Sequence, residues 1–378
     1  MALFVALAWL AGCGGSTSGP TGPIPAAPAG IAPPSYDSSV NELPEYPVVK
    51  AVHGVAKVSL IANINPATGL PAFQYEYMHG IAPTIELKPG ETFVIDLTDD
   101  LPPSAGMASY MNLHFHGLTV TPEGHGDNVL GMLAKPGQKL HYVVHVPKTQ
   151  EPGLYWYHPH VHGQTSYQVG ESGMSGAIVL DGLESHIPGL AKMKQRVIVV
   201  HATGVGVNAP PAGDDDMSGM SGMSGAVRMR PAGSNTNPCT FKDGLTVTLN
   251  GAYHPDITIA PGEKQFFRVV NATGHKTLRL NVEGGTEELV AIDGFALDTY
   301  PGTPPTLTEK VVTIPPAGRA EFVVTGPKSG RAKFRTLCYN TGPNGDADPY
   351  LYLAHIQAPK HRQDGGDFST VPLRVGEP

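Results

Sequence analysis

The chain has 378 residues, with 25 Lys and Arg against 33 Asp and Glu and a net charge of −8, so it has no electrostatic means of recruiting nucleic acid or an anionic lipid surface. Charged residues make up only 15% of it, while Gly and Pro number 46 and 37 without the triplet period of collagen, which is the composition of a turn-rich β protein. The length exceeds the roughly 250–300 residues at which a single core stops growing, so two domains are expected.

The first 13 residues, MALFVALAWLAGC, are apolar, and a run this short does not span a bilayer. The closing LAGC resembles the processing box of a bacterial lipoprotein, which would put a lipid on Cys13 and the protein in the bacterial cell envelope, periplasmic or extracellular. Residues 14–44 are rich in Gly, Ser, Pro and Ala and read as a flexible tether. The remaining cysteines, Cys239 and Cys338, can pair in an oxidising compartment, but two separate thiols fit the sequence equally well.

From residue 45 onward, short runs rich in β-branched and aromatic residues recur between Gly/Pro turns, among them KVSLIANI, YMNLHFHGLTV, QKLHYVVHVP, GLYWYHPH and SGAIVLDG. This spacing predicts the strands of a sandwich or barrel. A second series follows, and PTIELKPGETFVIDLTD in the first is echoed by PDITIAPGEKQFFRVVNAT in the second, each a strand, a Pro-Gly-Glu turn and a strand. The echo predicts a duplicated β-sandwich, with one domain at 45–183, another at 184–357 and a polar tail or linker at 358–378.

Sixteen His placed at random would give about 0.7 His-x-His pairs, whereas three are present: His114/His116, His158/His160 and His160/His162. Positions i and i+2 of a strand project from one face, so each pair presents two imidazoles to one place, and two such strands side by side supply four nitrogens. Imidazole suits Zn, Cu, Fe or Ni, so the spacing indicates a transition-metal site without choosing the metal.

The residues around the histidines narrow the choice. HFHGL at 114–118 and YWYHPHVHGQ at 155–164 resemble the first and second copper motifs of the multicopper oxidases, the laccase and cuprous-oxidase family. GDN at 126–128, PGQ at 136–138 and GMSGAIVLDG at 173–182 extend the likeness, which covers roughly residues 48–357, strongly in the first half and by general pattern in the second. It implies an all-β chain of two cupredoxin-like (plastocyanin-like) Greek-key β-sandwich domains with copper as cofactor. It assigns His114 to a type 2 copper and His116, His158 and His160 to a type 3 pair, each site in part. His162 receives no ligand role and is expected to support the ligands. Asp127 falls where the family has an acidic residue near the cluster, so it is either a catalytic proton relay for O2 reduction or a plain turn residue.

The departures from the family matter as much. Its members oxidise a substrate by single electrons at a type 1 copper, held by a His-Cys-His motif, and reduce O2 to water with four at the cluster. No such motif is found here: Cys239 lies between Pro238 and Thr240, Cys338 between Leu337 and Tyr339, and the later histidines form no His-x-His. The chain thus resembles the first two of three cupredoxin domains, an oxidoreductase inactive by itself. The implied partners are a missing third domain, in a longer polypeptide or a second chain, together with O2 and a small reducing substrate, phenol-like or Cu(I). The alternative is a cupredoxin-like scaffold or binding protein without oxidase activity. Two-domain copper nitrite reductases fit less well, because Pro159 stands where their second motif has Cys. The soft thioethers of Met217, Met220, Met223 and Met229, within a Gly/Ser-rich stretch, either prefer Cu(I) or are incidental members of a linker.

Overall fold

The computed structural model describes residues 41–203, 239, 245–342 and 347–359. The signal-like residues 1–13, the tether up to residue 40, the methionine-bearing stretch 214–229 and the tail beyond 359 lie outside the described residues. Among the described residues, no helix is long and apolar enough to cross a membrane.

The first half contains β1 (Val48–Lys50), β2 (Val55–Ile64), β3 (Pro71–Tyr75), β4 (Met78–His79) and β5 (Thr84–Leu87). It continues with β6 (Thr92–Asp99), β7 (His114–His116), β8 (Lys139–His145), β9 (Gly153–His158) and β10 (Gly176–Leu180). One sheet runs β1-β5-β10-β9-β7 and the other β4-β3-β2-β6-β8. Alternation drives their facing: β2 buries Ala56, Val58, Leu60 and Ala62, and β6 buries Phe93, Ile95 and Leu97, while the intervening side chains turn outward. Phe115, Tyr142, Tyr155 and Tyr157 complete the core between the sheets.

The second half contains β11 (Lys194–Thr203), β12 (Thr246–Leu249), β13 (Asp256–Thr258), β14 (Lys264–Asn271), β15 (Leu278–Val282), β16 (Glu287–Ile292) and β17 (Phe295–Ala296). Then come β18 (Leu307–Glu309), β19 (Val312–Ile314), β20 (Arg319–Thr325), β21 (Arg331–Thr336), β22 (Tyr339–Asn340), β23 (Ala347–Asp348) and β24 (Leu351–Gln357). One sheet runs β12-β11-β14-β20-β16-β17, with β18 also on β16, and it faces β13-β24-β21-β15-β19 across a core that includes Phe267, Phe322 and Phe334. Cys239 and Cys338 form a disulfide with their Cα atoms 5.2 Å apart.

The echo between the halves holds at the level of atoms. In each Pro-Gly-Glu turn the glycine takes a positive φ, +91° at Gly90 and +76° at Gly262. The Glu carboxylate then accepts the backbone N–H three residues back, from Lys88 to Glu91 at 2.7 Å and from Ala260 to Glu263 at 2.6 Å. Residues 41–44, assigned by composition to the tether, are fixed on the second half: Leu43 lies in its core, and Glu42 accepts from Arg196 and Thr258.

The two sandwiches share a third apolar layer. Leu154 and Trp156 of β9 and Ala177 and Val179 of β10 pack there with Val199 of β11 and Val270 of β14. Strands β9 and β10 are therefore buried on both faces, the inner face in the first core and the outer face against the second half.

Candidate metal centre

Strand alternation places the histidines. Phe115 of β7 points into the first core, so His114 and His116 turn to the opposite face, and Tyr155 and Tyr157 of β9 do the same for Trp156 and His158. The antiparallel register sets His114 opposite His158 and His116 opposite Trp156. Candidate nitrogens of His114, His116 and His158 all lie within 4.8 Å of one another, and His158 Nε2 is 3.5 Å from His116 Nδ1. Pro159 ends the strand, and His160 follows on the exposed side, its ring centre 5.3 Å from that of His114 and 5.9 Å from that of His158. His162 is exposed, and the groups that orient the imidazoles are others.

Those groups are specific. The Asp127 carboxylate accepts from His114 Nδ1 at 2.9 Å and from the Phe115 backbone N–H at 3.0 Å. A carboxylate only accepts, so the His114 proton sits on Nδ1 and its Nε2 lone pair is free. His158 Nδ1 donates to the Pro159 carbonyl at 2.8 Å, which frees its Nε2 on the side of His116. Asn112, 1% exposed, fixes the backbone of His160: its Oδ1 accepts the His160 N–H at 2.7 Å, and its Nδ2 donates to the carbonyls of His160 and Val129. Trp156 packs against both His116 and His158. Sequence reasoning did not single out Asn112 or Trp156. Trp156 had a signal, since it shares the face of His158 two residues away; Asn112 had none.

Burial pushes His116 down to about 4, with the positive charge of Arg319 adding to it, and burial holds His158 well below the ordinary histidine range. Both imidazoles are consequently neutral at pH 7, the form that offers a lone pair to a metal. Arg319 comes from β20 of the second half. Strand β7 covers β9 only from Trp156 to His158, so among the described residues no strand pairs with the edge of Leu154 on that side. Arg319 Nε donates to the Leu154 carbonyl at 3.2 Å and Glu321 accepts the Leu154 N–H at 3.1 Å, which completes the edge with two side chains.

The donor set fits a metal of the imidazole-binding class: nitrogens of three histidines converge, burial keeps His116 and His158 neutral, the tautomers of His114 and His158 are fixed by acceptors on the far side of the ring, and Trp156 packs against two of the rings.

Residues 78–185 match the family model described as multicopper oxidase. The multicopper oxidase mco of Staphylococcus haemolyticus is 26% identical over 222 residues, 57% of this chain and 42% of that protein. The iron transport multicopper oxidase fetC of Epichloe festucae is 26% identical over 217 residues, 56% of this chain and 30% of that protein. This chain thus spans less than half the length of these relatives. Among solved structures, a variant of the McoA multicopper oxidase of Aquifex aeolicus superposes with a TM-score of 0.61 at 17% identity, over 89% of this chain and 68% of that one. A multicopper oxidase of Campylobacter jejuni described as a metallo-oxidase gives 0.57 at 21% identity, over 89% and 65%. The two β-sandwiches therefore have the cupredoxin-like fold of multicopper oxidases, and the resemblance carried by the histidine motifs is borne out.

Proposed function

We propose that this chain, related to multicopper oxidases through its first domain, supplies one half of the copper cluster of an oxidoreductase that couples one-electron oxidation of a small substrate to reduction of O2 to water. The convergence of the His114, His116 and His158 nitrogens at the seam between the sandwiches is the observation that carries the reading. In this assignment His114 serves a type 2 copper, and His116, His158 and His160 serve a type 3 pair. Copper held there would supply the redox capacity for four-electron reduction of O2. The protein's part is to keep the imidazoles neutral and aimed, and Asp127 holds the proton at His114 Nδ1, where it is placed to hand protons inward. The cluster's other ligands and a type 1 copper come from a further cupredoxin domain, of the same polypeptide or of a second chain. Cys239 and Cys338 are tied in a disulfide and offer no thiolate for a blue copper. The disulfide fits an oxidising, extracytoplasmic location, with the lipid anchor at Cys13 as part of the same proposal.

Elemental analysis of the copper-loaded, desalted chain tests this, alongside a His114→Ala/His158→Ala variant. The wild type retains more copper than the variant, and its spectrum lacks the intense absorption of a blue copper. Equal copper in the two proteins, or an intense blue band, would overturn the reading; metal-free protein in both cases would favour a scaffold.

A further inference from the structure

A second pair of histidines stands on the outer surface of the first domain. His141 lies on β8, directly opposite Asp96 of β6, and its Nδ1 hydrogen-bonds to the Asp96 carboxylate at 2.7 Å. His125, in the loop that leads to Asp127, hydrogen-bonds through Nδ1 to the backbone carbonyl of His141 at 2.7 Å. Both acceptors lack a hydrogen, so both protons sit on Nδ1 and each ring keeps the Nε2 lone pair unoccupied by those bonds. Both side chains are exposed. The loop is anchored, because the Val143 N–H donates to the His125 carbonyl at 2.8 Å and the Asp127 N–H to the Thr121 carbonyl at 2.8 Å. The two ring centres are 5.9 Å apart at 70°, a separation matched within the histidine cluster, where rings stand 5.3 to 5.9 Å apart.

We propose that His125 and His141 form a separate surface site for a divalent first-row metal ion, copper before the others. An imidazole whose far nitrogen is tied to a carboxylate or a backbone carbonyl is the arrangement that orients histidine ligands in metal sites, and here it occurs twice on adjoining rings. Two imidazoles with water in the remaining positions suit Cu(II), which tops the affinity order for nitrogen ligands. His125 is two residues before Asp127, so an ion bound here sits on the loop whose carboxylate orients His114. His145, four residues along the same strand and exposed with its Nδ1 on Thr92 Oγ1, is too far along β8 to share the ion and provides an internal control.

The test is Cu(II) titration of the full chain carrying His114→Ala/His158→Ala, followed by calorimetry and electron paramagnetic resonance. That background takes up a Cu(II) equivalent with nitrogen hyperfine structure. Adding His125→Ala or His141→Ala weakens it at least tenfold and removes that signal, adding Asp96→Asn weakens it less, and adding His145→Ala leaves it unchanged. Circular dichroism checks that each variant is folded. Unaltered affinity and spectrum in both His125→Ala and His141→Ala, or an equal loss in His145→Ala, would overturn the proposal. His114 and His158 are absent from the background, and His116 and His160 remain in every variant compared, so a loss confined to His125→Ala and His141→Ala is independent of the cluster's own fate.

Discussion

Replacing Arg319 by Met removes one of the two side chains through which the second half completes the edge of β9, the strand that carries His158. Arg319 is 5% exposed; it donates to the carbonyls of Leu154 and Asp293 at 3.2 and 2.8 Å and pairs with the Asp293 carboxylate at 3.1 Å. Asp293 is nearly half exposed and regains water, so that ion pair counts for little. The two carbonyls count for more, because each is left without a partner inside the interface at about 1–3 kcal/mol. The nearby Glu321 carboxylate also loses one of two neighbouring cations while Arg268 remains at 3.3 Å. The expected destabilisation is about 3 kcal/mol, the low end of what breaking a buried charged network costs. With a urea m-value of about 3 kcal/mol/M, the unfolding midpoint moves down by about 1 M. Arg319→Lys keeps the charge but loses the planar fork and recovers less than half of the difference. Because Leu154 is four residues before His158, copper retention falls together with the midpoint. A midpoint within about 0.2 M of wild type for Arg319→Met would refute the claim that these bonds hold the strand.

Asn112→Ala leaves the His160 N–H and two carbonyls without their side-chain partner, so metal affinity falls about 10- to 100-fold, measured by competition with a chelator. Reduction of the Cys239–Cys338 bridge, whose ends are 99 residues apart, lowers stability by about 4.7 kcal/mol on the loop-entropy model, read from urea midpoints with and without reductant. Burial pushes the Glu287 carboxyl up to about 7, so the folded state binds this proton more tightly than the unfolded one. Its stabilising contribution is complete below the ordinary Glu value and is lost as pH rises through 7, a change of about 3 kcal/mol at most. In Glu287→Gln the decline in unfolding free energy between pH 5 and 8 is accordingly shallower than in wild type, and an identical decline would refute the assignment.

The histidine geometry was legible because it depends on one local rule. A strand's side chains alternate, so HFH and the YWYH run must each put their imidazoles on the face opposite the core aromatics, and pairing of β7 with β9 then does the rest. The duplicated Pro-Gly-Glu turn was legible for a similar reason, since three adjacent residues supply the positive-φ glycine and the capping carboxylate. The long-range elements were not. Leu43 belongs to the core of a domain whose first strand begins about 150 residues later, and in a Pro- and Ala-rich stretch one leucine carries no periodicity. The role of Asn112 depends on two loops that meet only in the folded chain, and a disulfide across 99 residues depends on Cα positions that composition leaves open.

The site belongs to the seam more than to the first sandwich, and two glycines show why. Gly117 directly follows the His-Phe-His motif with φ +88°, and a methyl group built there would stand 2.4 Å from Arg319 Nη2. Gly294 in the second half has φ +84°, and a methyl there would stand 2.5 Å from the ring of Tyr155, whose hydroxyl donates to the Gly294 carbonyl at 3.1 Å. The halves approach this closely at the two strands that bear the histidines, so anything that separates them rehydrates His116 and His158 and unseats Leu154 in one motion. The neutral state of the imidazoles comes chiefly from burial, and part of that burial is supplied by the second half. The packing of the second half is therefore part of what keeps His116 and His158 in the neutral form that a metal would need. Gly117→Ala is its most local probe: the added methyl contacts the second half first, yet it reaches the cluster through the adjacent His116.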